Sequence, residues 1–275
     1  MSTSREFAPP TTTGKARTDG RPRRLVDGVP PSWSATAYAD ALDAGRGPLF
    51  LRRTDGWLLP LEVERWCAAA DAADMSVLER CEGTVLDIGC GPGRLVAALG
   101  ARGLPALGID VSEAAVAHTI RLGGRALCRS VFDPVPGEGR WSTALLLDGN
   151  VGIGGDPVAL LDRVTRLVAP GALLIAETVP VDVDERAHVR IVHLAGAQGG
   201  AGTPFPWARL GTPALVRYAA QAGWHLEAQW TTGGRCFVAL RSRRTSSSAE
   251  PANSTAVMSS QRARKPSADR PVANR

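Results

Sequence analysis

The run Val85-Leu86-Asp87-Ile88-Gly89-Cys90-Gly91-Pro92-Gly93-Arg94-Leu95 constrains this chain more than any other segment. A short apolar stretch suited to a buried strand leads into three glycines at alternate positions, and a helical pattern follows. In an open parallel sheet the crevice at the carboxyl end of the first strand is where ligands bind, and glycines let a backbone approach a ligand with no Cβ in the way. The segment therefore predicts a nucleotide-type cofactor site. Spacing separates the cofactors that use such a bend. A dinucleotide fingerprint needs G-x-G-x-x-G, whose third glycine allows close packing of helix on strand. Counting from Gly89, that position holds Arg94.

The pattern D-x-G-x-G-x-G, from Asp87 to Gly93, resembles motif I of the class I S-adenosylmethionine-dependent methyltransferases. A second element supports the resemblance: Leu107-Gly108-Ile109-Asp110 ends the next apolar run with an acid, 17 positions after Gly93. An acid about 20 residues on is where a ribose diol is held. Asp110 or Ser112 also suits the N-cap of the helix expected to follow.

The resemblance implies a site. Asp87, Gly89, Cys90, Gly91 and Gly93 would line the methionine portion of S-adenosylmethionine, and Asp110 with Val111 would hold the ribose. The segment Arg129-Ser130-Val131-Phe132-Asp133 would frame the adenine, with Val131 and Phe132 as apolar neighbours. The usual acid there is replaced by Ser130 or displaced to Asp133, and Phe132 suits the core as well as the cofactor. Asp148 and Asn150, in the glycine-rich loop Asp148 to Pro157, would face the methionine amino group and the transferred methyl, while Asp156 and Pro157 read as the cap and first residue of the next helix.

Methyl transfer from a sulfonium is an in-line displacement, so alignment supplies most of the acceleration. A base is required only where the acceptor must lose a proton. His188 and His193 are the candidates for that role, with exposure to solvent as the alternative, and no metal site is expected. A nicotinamide oxidoreductase and a cofactor-binding protein without turnover are the competing readings; Arg94 counts against the first and the intact glycine loop against the second.

From Gly83 strands and helices alternate, the signature of a parallel sheet covered on both faces. Strands are expected over Thr84–Ile88, Ala106–Ile109, Ala126–Phe132, Ser142–Leu147 and Ala172–Glu177. Helices are expected over Pro92–Ala101, Glu113–Leu122, Pro157–Val168 and Thr212–Ala222. A long irregular stretch precedes the last of these. Two strands, Trp224–Thr231 and Arg235–Leu240, join at Gly233-Gly234, a hairpin signal. The expected fold class is α/β: a Rossmann-like, seven-stranded, mostly parallel sheet with a C-terminal antiparallel hairpin and helices on both faces. The family resemblance implies the strand order 3-2-1-4-5-7-6.

Four regions follow. Residues 1–30 are a Pro-, Thr- and Arg-rich segment expected to be disordered; 31–82, with Trp33, Tyr38, Phe50, Trp57 and Trp66, are expected to form a helical lid or substrate segment; 83–241 form the methyltransferase-like domain; 242–275 are a basic tail expected to be disordered. The net charge of +5 resides in the ends, because residues 1–30 contribute +3 and 241–275 contribute +6, leaving 31–240 at −4. That distribution argues against a specific nucleic-acid groove. The acceptor is therefore expected to be a small molecule, an expectation strengthened by the lack of N-P-P-Y or D-P-P-Y, and a role in secondary metabolism is plausible for such an enzyme.

Five scattered cysteines without C-x-x-C spacing favour reduced thiols. With no apolar signal segment and no run of about 18 apolar residues, a cytoplasmic protein with no membrane contact is expected. Only Lys15 and Lys265 among the 32 basic residues are lysine. This composition resembles that of a GC-rich bacterium such as an actinomycete, and the run from strand three through the glycine loop resembles actinobacterial members of the class. The oligomeric state stays open.

Overall fold

The structure, a computed structural model, describes residues 36–193 and 203–243. The two expected disordered ends, 1–30 and 242–275, lie outside these residues except for Ser242 and Arg243. In chain order, helix α1 (Thr36–Ala44) is followed by strands β1 (Leu49–Arg53) and β2 (Leu58–Leu61), then by helices α2 (Val63–Cys67) and α3 (Ala72–Leu78). Alternation then begins: β3 (Val85–Ile88), α4 (Arg94–Ala101), β4 (Ala106–Asp110), α5 (Glu113–Arg121), β5 (Ala126–Cys128), β6 (Trp141–Leu146), α6 (Pro157–Leu167) and β7 (Val168–Thr178). The chain closes with β8 (Asp184–His193), β9 (Phe205–Leu210), α7 (Thr212–Gln221), β10 (Trp224–Thr232) and β11 (Arg235–Ser242).

Seven strands form one sheet in the order β10-β11-β7-β6-β3-β4-β5. The five from β7 to β5 run parallel, and β11 and β10 are antiparallel, as expected from the Gly233-Gly234 hairpin. Period-two alternation along β6 sends its side chains to opposite faces. Ala144 and Leu146 pack with Leu160, Leu161 and Leu215 of α6 and α7, whereas Leu145 packs with Leu78, Leu95 and Leu99 of α3 and α4. Buried on both faces, β6 thus reads as a continuous apolar run.

Local chemistry fixes the helix starts. Asp156 accepts from the N–H groups of Val158 and Ala159, with Pro157 first in α6. Ser112 accepts from Ala115 N–H at the start of α5. Helix α4 begins at Arg94 rather than at Pro92, because Gly93 caps it at φ +92°.

Three expectations need correction. Strand three ends at Cys128, not at Phe132. After Arg129 N–H bonds to the Asp110 carbonyl, the chain turns through Asp133 N–H to Ser130 O, and buried Arg163 of α6 takes the carbonyls of Val131 and Asp133. The 31–82 segment is not purely helical, since β1 and β2 form a hairpin between its helices. The stretch expected to be irregular before α7 holds β8 and β9. These strands join the hairpin in a second sheet, β2-β1-β8-β9. Pro206 is tolerated in β9 because that strand is an edge.

The small sheet has its own core: Tyr38, Leu42, Leu49, Leu51, Val63 and Trp66 pack with Val189, Ile191, Phe205 and Trp207. Ile153 joins it to the large core and forms a bridge to Trp207.

Candidate active site

The two sheets enclose a cavity of about 440 Å³, within the range of roughly 300–1,000 Å³ usual for small-ligand sites. Its floor is the glycine bend after β3. Gly89 N–H and Cys90 N–H both donate to Ile109 O, which holds the bend against β4. Asn150 pins it from the other side, its Nδ2 donating to the carbonyls of Ile88 at 3.0 Å and Gly89 at 2.8 Å. A Cβ on Gly89 would fall 2.6 Å from that nitrogen. At Gly91, φ is +53°, and a Cβ would point toward the Tyr38 hydroxyl, 3.8 Å away. Glycine there keeps the space between floor and roof open.

Asp110 closes β4 beside this floor. Its Oδ2 accepts from Gly91 N–H at 2.9 Å and its Oδ1 from Ser112 N–H at 2.8 Å. Burial pushes its carboxyl above the ordinary value, while those two N–H groups act in the opposite direction. Each oxygen retains a lone pair for a ligand hydroxyl. Val111, Ser130, Val131 and Phe132 continue the wall. Phe132 is 45% exposed, so a broad aromatic surface is left uncovered.

Beneath the opposite end lies a network of three arginines and three carboxylates. Arg94 donates to Asp74 at 2.9 and 3.0 Å and to Asp148 at 2.7 and 3.1 Å. Arg235 donates to both oxygens of Glu177 at 2.9 and 2.8 Å, to Asp74 at 2.8 Å and to Asp148 at 3.2 Å. Arg65 of α2 reaches Asp148 at 2.6 Å, and Asp148 N–H donates to Glu177 at 2.8 Å. Asp148 adopts φ +57°, a conformation uncommon outside glycine but tolerated by Asp. Burial disfavours both carboxylates, yet the arginines prevail, holding Asp74 at about 2 and Asp148 below its ordinary value.

Of the residues expected at the cofactor, Gly89, Cys90, Gly91, Asp110, Val111, Val131, Phe132, Asp148 and Asn150 all border the cavity. Asp87 and Gly93 do not. Asp87 lies buried under the bend; one of its oxygens has no partner, and burial pushes its carboxyl up to about 7. Gly93 packs against Thr119 of α5. Asp133 is likewise off the wall. Asp148 and Asn150 were expected to offer acceptors to the cofactor; instead the first is engaged by arginines, and the second spends its amide donor on the bend.

His188 and His193 are both exposed, the alternative that the sequence offered, and neither borders the cavity. Along β8 the residues that turn inward are Val189 and Ile191, so His188 shares the outer face with Arg186 and Arg190. Sequence reasoning missed Arg65, Arg94 and Arg235 as partners of Asp148, whereas Trp66 of the expected lid and the run Phe205 to Arg209, which the family resemblance sets over the acceptor, do border the cavity. Only the alternation of Ala187, Val189 and Ile191 hinted at the strand that supports these aromatics.

The chain matches the model of a family described as a methyltransferase domain over residues 64–229. Among solved structures it is similar to an S-adenosylmethionine-dependent methyltransferase from Bacteroides fragilis, in complex with S-adenosyl-L-homocysteine. That pair is 20% identical, covers 75% of this chain and 93% of the other, and has a TM-score of 0.61. It is also similar to the CcbJ methyltransferase from Streptomyces caelestis, 15% identical over 78% of this chain and 99% of that one, with a TM-score of 0.51. No curated protein sequence matches it.

Proposed function

This chain belongs to the methyltransferase-domain family, and from that premise we propose that it uses S-adenosylmethionine and that the cavity presents the donor's methyl group to a small-molecule acceptor of specialised metabolism. The carrying observation is the lining of the cavity. Asp110 is fixed by two backbone N–H groups beside a floor without side chains, and aromatic side chains of the small sheet supply further wall.

The donor, when bound, supplies an electrophilic methyl on a sulfonium. Asp110 accepts from the ribose hydroxyls. Val131 and Phe132 flank the adenine, on a loop that Arg163 fixes through two carbonyls. Gly89, Cys90 and Gly91 pass the methionine portion with backbone alone. Asp148 serves the site by anchoring Arg65, Arg94 and Arg235, and Asn150 by fixing the bend. Because sulfur departs as a neutral thioether, the transfer needs alignment and dryness rather than compensation of a departing charge.

Within 31–82, α1, β1, β2 and α2 act as the lid of domain 83–241, carrying Tyr38 and Trp66 over the floor. The ends 1–30 and 242–275 take no part in catalysis, and the acidic balance of 31–240 disfavours nucleic acid as acceptor. Five free thiols suit a reducing cytoplasm, and no described helix is long and apolar enough to cross a membrane. Incubation with methyl-labelled donor and a fractionated cell extract tests the reading. Label in a small-molecule fraction is expected; label confined to protein or RNA would overturn it.

A further inference from the structure

Among the described residues, the acceptor end of the cavity has no uncommitted proton acceptor. All four histidines of the chain lie off its wall: His118 of α5 bonds through Nδ1 to Pro92 O, and His188, His193 and His225 are exposed. The described wall has three carboxylates, and each is committed. Asp110 receives two backbone N–H groups and gives its remaining lone pairs to the ribose, Asp148 receives three arginines, and Glu177 receives Arg235 through both oxygens together with Asp148 N–H. Burial raises the tyrosine hydroxyl of Tyr38 and the thiol of Cys90 well above their ordinary values, so both keep their protons. Residues 194–202, outside the described ones, are only Leu, Ala, Gly and Gln.

The charge at this end is equally committed. Arg235 and Arg94 are neutralised by Asp74, Asp148 and Glu177, and Arg209 by Glu185 at 2.9 Å. Aromatic rings make up the remainder: Trp66, Phe205 and Trp207 all border the cavity. Trp66 sits edge to face with Tyr38 at 6.4 Å, and Trp207 with Phe205 at 6.1 Å. Such a wall attracts a cation through its π faces, and the donors it leaves for an anion are the unpartnered Nε1–H of Trp66 and Nε–H of Arg209.

Resting on the methyl-transfer reading above, we propose that the acceptor atom is an uncharged amine nitrogen on a largely apolar small molecule, received against Trp66, Phe205 and Trp207. The nitrogen lone pair forms the new N–C bond as the C–S bond breaks, and the C–S electron pair stays on sulfur. Positive charge therefore passes from sulfur to nitrogen. An N–H proton on the product is lost to water afterwards, so no side chain has to remove it during transfer. A hydroxyl acceptor would need a base that the described wall lacks, and a carboxylate would meet paired arginines at this end, since the unpaired Arg129 belongs to the segment beside Ser130 and Phe132.

The test is binding to the full-length chain saturated with S-adenosyl-L-homocysteine, followed by calorimetry. Three probes share one ring: benzyltrimethylammonium as mimic of the methylated product, benzyl alcohol and phenylacetate. Saturation is established first, and failure at that stage strikes the methyl-donor reading rather than this one. The ammonium is expected to bind at least about tenfold tighter than either alternative, and Phe205→Leu and Trp66→Leu should each reduce that preference severalfold. The conservative Phe205→Tyr should retain it. Equal affinities, no binding of any probe, preference for phenylacetate, or a preference indifferent to the aromatic substitutions in folded variants would each overturn the proposal.

Discussion

Asp87→Asn should make this protein more stable at pH 8 than the wild type, by an amount that shrinks as the pH falls. Asp87 is 1% exposed, and its Oδ2 has no partner. Burial is the main cause that pushes its carboxyl from 3.8 to about 7; Arg94 opposes the shift, while Asp148, Asp110 and Asp74 reinforce it. In the unfolded chain the same group ionises near 3.9. Between those values the folded state keeps a proton that the unfolded state has lost, so stability falls as pH rises and levels off above the folded pKa. The linkage amounts to about 2–3 kcal/mol between pH 5 and pH 8, and about 4 kcal/mol over the whole range. Asparagine has the same shape and does not titrate.

Urea unfolding of both proteins at half-unit pH steps isolates the effect, because the other ionisable groups, including Asp74 with its depressed value, largely cancel in the difference. The difference curve should climb toward the variant from pH 5 to about pH 7 and then flatten. A flat difference, or one that climbs toward the wild type with rising pH, would refute the reasoning. A constant offset from altered packing moves the curve without changing its slope.

Arg94→Ala should cost about 3–5 kcal/mol, because it removes from Asp74 and Asp148 the one arginine that bonds both oxygens of each in a buried setting; thermal unfolding checks this, and a loss under 1 kcal/mol would show the network to be superficial. The double variant His188→Ala/His193→Ala should leave kcat within about twofold, since neither ring reaches the cavity, and a hundredfold loss would restore a histidine base. Arg163→Ala should raise the KM for S-adenosylmethionine severalfold with little change in kcat, because it releases the carbonyls of Val131 and Asp133 that fix the adenine wall; an unchanged KM would detach that loop from cofactor binding.

What the sequence revealed and what it hid divide along the reach of each interaction. The glycine bend, the acid after β4 and the Asp156-Pro157 start of α6 are local patterns, so their spacing sufficed to place them. The central strands were legible because burial on both faces makes them almost wholly apolar. The small sheet was not, since β8 mixes charged residues into a faint alternation and β9 contains a proline. The arginine network was invisible for a different reason: Asp74 and Arg235 are 161 residues apart, and no spacing rule links them. Ignorance of that network made Asp148 look like a free acceptor. His188 and His193 attracted attention by residue type and by lying in the segment before α7; alternation along β8 sends His188 to the outer face, and His193 is exposed at the end of that strand.

Calorimetric titration of S-adenosyl-L-homocysteine into the wild type and into Asp110→Ala tests the cofactor assignment most directly. One site per chain is expected in the wild type, and the variant, folded as judged by circular dichroism, should lose roughly 1–3 kcal/mol of binding free energy with its charged hydrogen bonds. Equal affinity in the two proteins would contradict the placement of the nucleoside against Asp110, and with it the orientation of the whole cavity.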